Sequence, residues 1–143
     1  MLERPDRAAL ALYGGDGDDI VDGGKDPDQV HGGIGNDDVM TGLGLGNFGS
    51  GGPGADRVVG GDQEDLLLGE SGNDEILAGP GLDGVGGGPG DDEIFGGSGN
   101  DALRGQEGND SVHGQSDDDI GTGDPNVDSC LSTFGNFGCE FFN

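Results

Sequence analysis

Residues 32–40 read Gly-Gly-Ile-Gly-Asn-Asp-Asp-Val-Met and residues 96–104 read Gly-Gly-Ser-Gly-Asn-Asp-Ala-Leu-Arg, and this nine-residue pattern recurs along most of the chain. A fixed period this short restricts the fold to a stack of like units, because no single unit can bury itself and each must lean on its neighbours. Frames opening at residues 14, 23, 32, 41, 51, 60, 69, 78, 87, 96, 105, 114 and 123 give thirteen units over 14–131, with Ser50 as the one insertion. Position six then reads Asp19, Asp28, Asp37, Gly46, Asp56, Asp65, Asp74, Asp83, Asp92, Asp101, Asp110, Asp119 and Asp128. Position eight reads Val21, Val30, Val39, Phe48, Val58, Leu67, Ile76, Val85, Ile94, Leu103, Val112, Gly121 and Cys130, the main apolar series of the chain. A liganding position and a core position recur together.

Composition says what must act on such a stack. The chain holds 36 Gly and 30 Asp plus Glu against 5 Lys plus Arg in 143 residues, a formal charge of -25, with only 29% hydrophobic residues. Without help, self-repulsion exceeds what burial supplies, and the composition is that of a disordered chain. The charge disfavours nucleic acid and anionic membranes, which need Lys and Arg to neutralise phosphates. Multivalent cations are the natural partner. No apolar run approaches the roughly 20 residues of a transmembrane helix, and Met1 to Tyr13 lacks the apolar centre of a secretory signal.

The unit Gly-Gly-x-Gly-x-Asp-x-U-x, with U apolar, is met at every position in 32–40, 87–95 and 96–104, and it resembles the repeats-in-toxin (RTX) nonapeptide. That resemblance implies an all-β, right-handed parallel β-roll of about seven 18-residue coils, each nonapeptide a turn then a short strand, with Ca²⁺ between turns stacked on one edge. The residue chemistry agrees. A three-residue strand with one inward side chain needs stacking, and glycine permits the positive φ that aims backbone carbonyls at a common centre. The expected carbonyl donors at positions two and four are Gly15, Gly17, Gly33, Gly35, Gly52, Gly54, Gly72, Gly88, Gly90, Gly97, Gly99 and Gly108. Ca²⁺ takes about 6–8 oxygens, so one turn supplies part of the set and the next coil the rest.

Two edges follow. The first carries Asp19, Asp37, Asp56, Asp74, Asp92, Asp110 and Asp128. The second carries Asp28, Gly46, Asp65, Asp83, Asp101 and Asp119, with Asp26, Gln63 and Asp117 in place of the fourth-position glycine. Adjacent pairs give six intact inter-turn sites on the first edge and three on the second, with two more weakened by Gly46. About nine to eleven Ca²⁺ would bring about +18 to +22 against -25. The competing reading of the aspartates is a solvated acidic turn in a glycine-rich disordered chain.

The frame also extends to both ends. Residues 1–13 read as an N-terminal capping strand, with Leu12 at position eight, and 132–143 as a Phe- and Cys-rich C-terminal cap. Cys130 and Cys139 both take position eight, so the expected disulfide joins them across the last coil; two free, buried thiols are the alternative. His31 and His113 lie 82 residues apart and read as surface residues. Outward-facing Met40, Val59, Leu77, Phe95 and Leu131 form either an apolar ladder suited to self-association or scattered strand-favouring residues.

The sequence therefore reads as a non-catalytic protein that folds on Ca²⁺ and serves a structural or assembly role, secreted, extracellular or on a cell surface, as the resemblance implies for a bacterial protein. No H-E-x-x-H, nucleophile elbow or phosphate loop is present. Two rivals stand beside this reading: a calcium-binding module of a larger secreted enzyme or toxin, and a subunit of an extracellular filament or surface layer.

Overall fold

A computed structural model describes residues 9–122, together with the backbone of 129–132. The strands are β1 (Ala11–Asp16), β2 (Ile20–Asp22), β3 (Gln29–Ile34), β4 (Asp38–Met40), β5 (Asn47–Pro53), β6 (Arg57–Val59) and β7 (Asp65–Ser71). They continue as β8 (Glu75–Pro80), β9 (Gly84–Pro89), β10 (Glu93–Ser98), β11 (Ala102–Glu107), β12 (Ser111–Ser116), β13 (Ile120–Thr122) and β14 (Ser129–Ser132). Among the described residues there is no helix.

Odd-numbered strands form one seven-stranded sheet and even-numbered strands the other, each in strict order and with every described pairing parallel. Register advances by one coil of eighteen residues, as in Ile76↔Ile94 and Ile94↔Val112. The chain is thus a parallel β-roll of about six turns, and alternation between the sheets is the geometric expression of the nine-residue period. Strands run longer than the three residues expected, up to seven in β5 and β7, because positions one to three also pair with the neighbouring coil.

Position eight is the core. Val30, Leu67, Val85 and Leu103 from the odd sheet meet Val39, Val58, Ile76, Ile94 and Val112 from the even sheet, all buried, with Ala78 among them. Leu12 and Val21 pack against this row near the first coil.

One segment departs from the frame read in the sequence. Asn47, not Gly46, pairs with Asp65, and Gly49, not Phe48, pairs with Val30 and Leu67. The extra residue therefore lies in the turn before Asn47 rather than at Ser50, and position eight of this unit is Gly49. A one-residue slip turns a strand's side chains over, so Phe48 moves to the outer face. The core accepts glycine here because the volume is taken: a Cβ on Gly49 would sit 2.7 Å from Thr41 Cγ2, 3.1 Å from Leu67 Cδ2 and 3.3 Å from Val58 Cγ1.

Asp128, Cys139, most of the N-terminal capping segment and residues 133–143 lie outside the described residues, as do the side chains of Cys130 and Leu131.

Candidate metal centre

Each turn delivers its aspartate to the start of a strand, where it is locked by the neighbouring coil. On the first edge the backbone N–H of Asp19 donates to Asp37 Oδ1 (2.8 Å), Asp37 to Asp56 (2.7 Å), Asp56 to Asp74 (2.8 Å), Asp74 to Asp92 (2.9 Å) and Asp92 to Asp110 (2.9 Å). The second edge repeats the rule from Leu10 to Asp28 (2.8 Å), and from Asp65 to Asp83 (2.8 Å), Asp83 to Asp101 (2.9 Å) and Asp101 to Asp119 (3.0 Å). Stacking thus places carboxylates in two columns, one per edge, at the strand spacing of about 4.8 Å.

In Asp37, Asp56, Asp74, Asp83, Asp92, Asp101 and Asp119 one oxygen is used in this way and the other is not. Oδ2 of Asp19, Asp37, Asp56, Asp74 and Asp92 on the first edge, and of Asp83, Asp101 and Asp119 on the second, is buried with no hydrogen-bond partner. Position-one glycines make the room: a Cβ on Gly32 would lie 2.5 Å from Asp37 Oδ2, and one on Gly51 2.5 Å from Asp56 Oδ2. A buried polar atom without a partner costs about 1–3 kcal/mol, more when charged, and native folds retain few of them. Columns of them need an explanation.

Electrostatics sharpens the need. Burial pushes Asp74, Asp83 and Asp101 up to about 6 and Asp92 up to about 7. The N–H of the preceding coil partly offsets this, and neighbouring carboxylates add to it. Asp56 and Asp119 are raised for the same first reason. Two such charges about 5 Å apart repel by about 3 kcal/mol at an effective dielectric of about 20, so each added coil adds strain unless positive charge intervenes.

The turns offer the rest of a hard-cation shell. All twelve glycines expected to aim carbonyls have φ between +114° and +155°. Glu70, Gln106 and Gln115 hold the same left-handed conformation at position two, with φ of 77°, 78° and 73°, as does Asp117 at position four (79°). The consensus glycine pattern gave no sign of these four; their place in the frame is the only signal. Among the described residues no three Asp, Glu, His or Cys side chains converge on one point, so a cation would draw on carbonyls as well as carboxylates. Unpartnered carboxylate oxygens, an all-oxygen donor set and carbonyl-rich turns fit Ca²⁺. Bound there, it would neutralise the columns and satisfy the Oδ2 atoms.

The remaining polar residues are placed elsewhere. His31 stacks on Tyr13 (4.8 Å between centroids) and His113 on Phe95 (4.8 Å), on the outer faces of different sheets. Position five builds a second, exposed ladder in which Asn36 accepts from Ala55 N–H and Asp91 from Asn109, both at 2.9 Å.

No curated protein matches the chain. The model of the RTX calcium-binding nonapeptide repeat, in four copies, matches at residues 13–45, 50–85 and 86–121, and so the chain belongs to the RTX family of calcium-binding β-rolls.

Proposed function

We propose that this roll works outside the cell as a structural or assembly element whose folding is coupled to several Ca²⁺ ions, held by the position-six aspartates and the glycine carbonyls beside them. The observation that carries the reading is the pair of aspartate columns, whose members from Asp37 to Asp92 on the first edge each anchor one oxygen to the N–H of the preceding coil and leave the other buried and free to take a cation. A multivalent ion that binds only the folded columns pulls the chain into the roll by mass action. The test is a calcium titration of stripped protein followed by circular dichroism and sedimentation, joined to fractionation of the producing cells. A compact, ion-free roll, or a mature protein retained inside the cell, would overturn it.

A second reading, self-association, is supported by the outer face of the even sheet. Met40, Val59, Leu77 and Phe95 lie in direct register on β4, β6, β8 and β10. With Leu43 and Pro80, the first three line a shallow groove of about 650 Å³. Beside them Arg57 bridges Asp38 (3.2 Å) and Glu75 (3.1 Å) across three strands. Calcium-dependent growth in mass at high protein concentration is the expected sign, and a monomer at all concentrations would count against it.

A further inference from the structure

We propose that the turn leading into Asn47 is closed by an amide in place of a cation, so that the second edge carries no ion between Asp28 and Asp65. This rests on the reading of the roll as calcium-binding and refines where the ions go. At the regular turns Oδ1 of the aspartate accepts an N–H from the preceding coil and Oδ2 is left buried without a partner. Asn47 keeps the first half of that arrangement: its Oδ1 accepts the Asp28 N–H (3.0 Å), and its own N–H donates to Asp65 Oδ1 (3.1 Å).

The second half is inverted. Nδ2 of Asn47 donates to the carbonyl oxygen of Gly44 at 2.9 Å, inside the same turn and away from solvent. An amide nitrogen has two N–H donors and no lone pair to offer a metal, so a cation at this point would meet hydrogens rather than an oxygen. A carboxylate at residue 47 would instead set an oxygen against the Gly44 carbonyl, two acceptors with nothing between them.

The adjoining turns agree. Asp65 Oδ2 accepts the Gly61 N–H at 2.6 Å and its Oδ1 the Asn47 N–H, so this carboxylate is already satisfied on both oxygens. Their position-four residues, Asp26 and Gln63, lack the positive φ of Gly35 and Gly54 on the other edge. Along the second edge, unpartnered buried carboxylate oxygens occur at Asp83, Asp101 and Asp119. The ion count accordingly falls to the lower end of the expected range, about nine.

The experiment is native mass spectrometry of calcium-saturated wild type and Asn47→Asp, with ¹⁵N NMR of the Asn47 side-chain amide in the wild type. Asn47→Asp is expected to hold at least one more Ca²⁺, and the wild-type Nδ2 protons to exchange slowly at saturating calcium. Equal, non-zero ion counts, or Nδ2 protons exchanging as fast as those of an exposed amide, would overturn the inference. No bound ion in either protein would overturn the calcium reading itself, and is told apart by the count alone.

Discussion

The backbone N–H of Asp74 donates to Oδ1 of Asp92, eighteen residues on, at 2.9 Å, while Oδ2 of Asp92 stays buried and unpartnered. One carboxylate thus does two unlike jobs, tying coil to coil with a neutral donor and presenting a bare oxygen that calls for a positive one. The jobs can be separated by substitution.

Asp92→Asn preserves an acceptor for Asp74 and removes a charge, whereas Asp92→Ala removes both. Each variant is expected to lose one or two Ca²⁺ by native mass spectrometry. Asp92→Ala should be less stable than Asp92→Asn by about 1–3 kcal/mol in saturating calcium, the cost of the orphaned N–H. Asp28→Ala, beside the amide-closed turn, should change the ion count least of the three.

Removal of calcium should unfold the chain. The described core is one side chain deep per nonapeptide, and the first-edge column from Asp19 to Asp92 would then carry its buried charges uncompensated. Excess chelator at pH 7.5 is expected to abolish the strand signal in circular dichroism and enlarge the radius in small-angle scattering, with both restored by millimolar Ca²⁺.

Acid should partly replace the ion. Because the folded carboxylates of Asp74, Asp83, Asp92 and Asp101 sit at about 6 to 7 rather than 3.8, the folded chain binds more protons than the unfolded one between about pH 4 and 7. Stability of calcium-stripped protein therefore falls as pH rises through that window, and the cost is complete above the folded values. Circular dichroism of stripped protein should show more strand at pH 4.5 than at 7.5. Calcium affinity should weaken on going from pH 8 to pH 6, as protons compete for the same oxygens.

Two glycine substitutions should part company. Gly51→Ala sets a Cβ 2.5 Å from Asp56 Oδ2 and 2.7 Å from Asp56 Cβ, and is expected to cost roughly 1–3 kcal/mol. Gly84→Ala meets only the movable Leu66 Cδ1 at 3.3 Å in ordinary backbone, so it should be neutral or stabilise by about 0.4–1 kcal/mol. Thermal melts in saturating calcium decide both.

Cys130 stands in register with Val112 of the core column, while Cys139 lies outside the described residues. A Cys130–Cys139 bridge is proposed on the repeat frame alone, and closing a loop of about ten residues would stabilise by roughly 2–3 kcal/mol. Non-reducing mass spectrometry of oxidised, calcium-loaded protein should show a mass two hydrogens lighter, and two alkylatable thiols would remove the proposal.

The sequence made the columns legible because a solenoid repeats its physics: Val30, Ile76 and Ile94 share one environment, so one apolar letter at position eight suffices. The extra residue near Ser50 was misplaced because the frame resumes at Gly51 wherever it is put. Choosing between Gly46 and Asn47 at position six required seeing that an asparagine Oδ1 can continue an aspartate ladder and that Thr41 fills the gap left by Gly49. Consensus could not find the left-handed Glu70 and Gln106 either, since their conformation is imposed by the neighbouring coils and not by their own preference.

The side-chain ladders at positions five and six run in opposite senses. Asp37 reaches back to the N–H of Asp19, whereas Asn36, one residue earlier, reaches forward to that of Ala55. A cut between the coils of Asp19 and Asp37 would expose the Asp37 carboxylate and the Asn36 N–H on one severed face, and the Asp19 N–H and the Asp18 carboxylate on the other. The two faces rejoin head to tail, each donor on one meeting its acceptor on the other. Any fibre grown by these turns alone is directional, with ends that differ chemically and need not lengthen at the same rate.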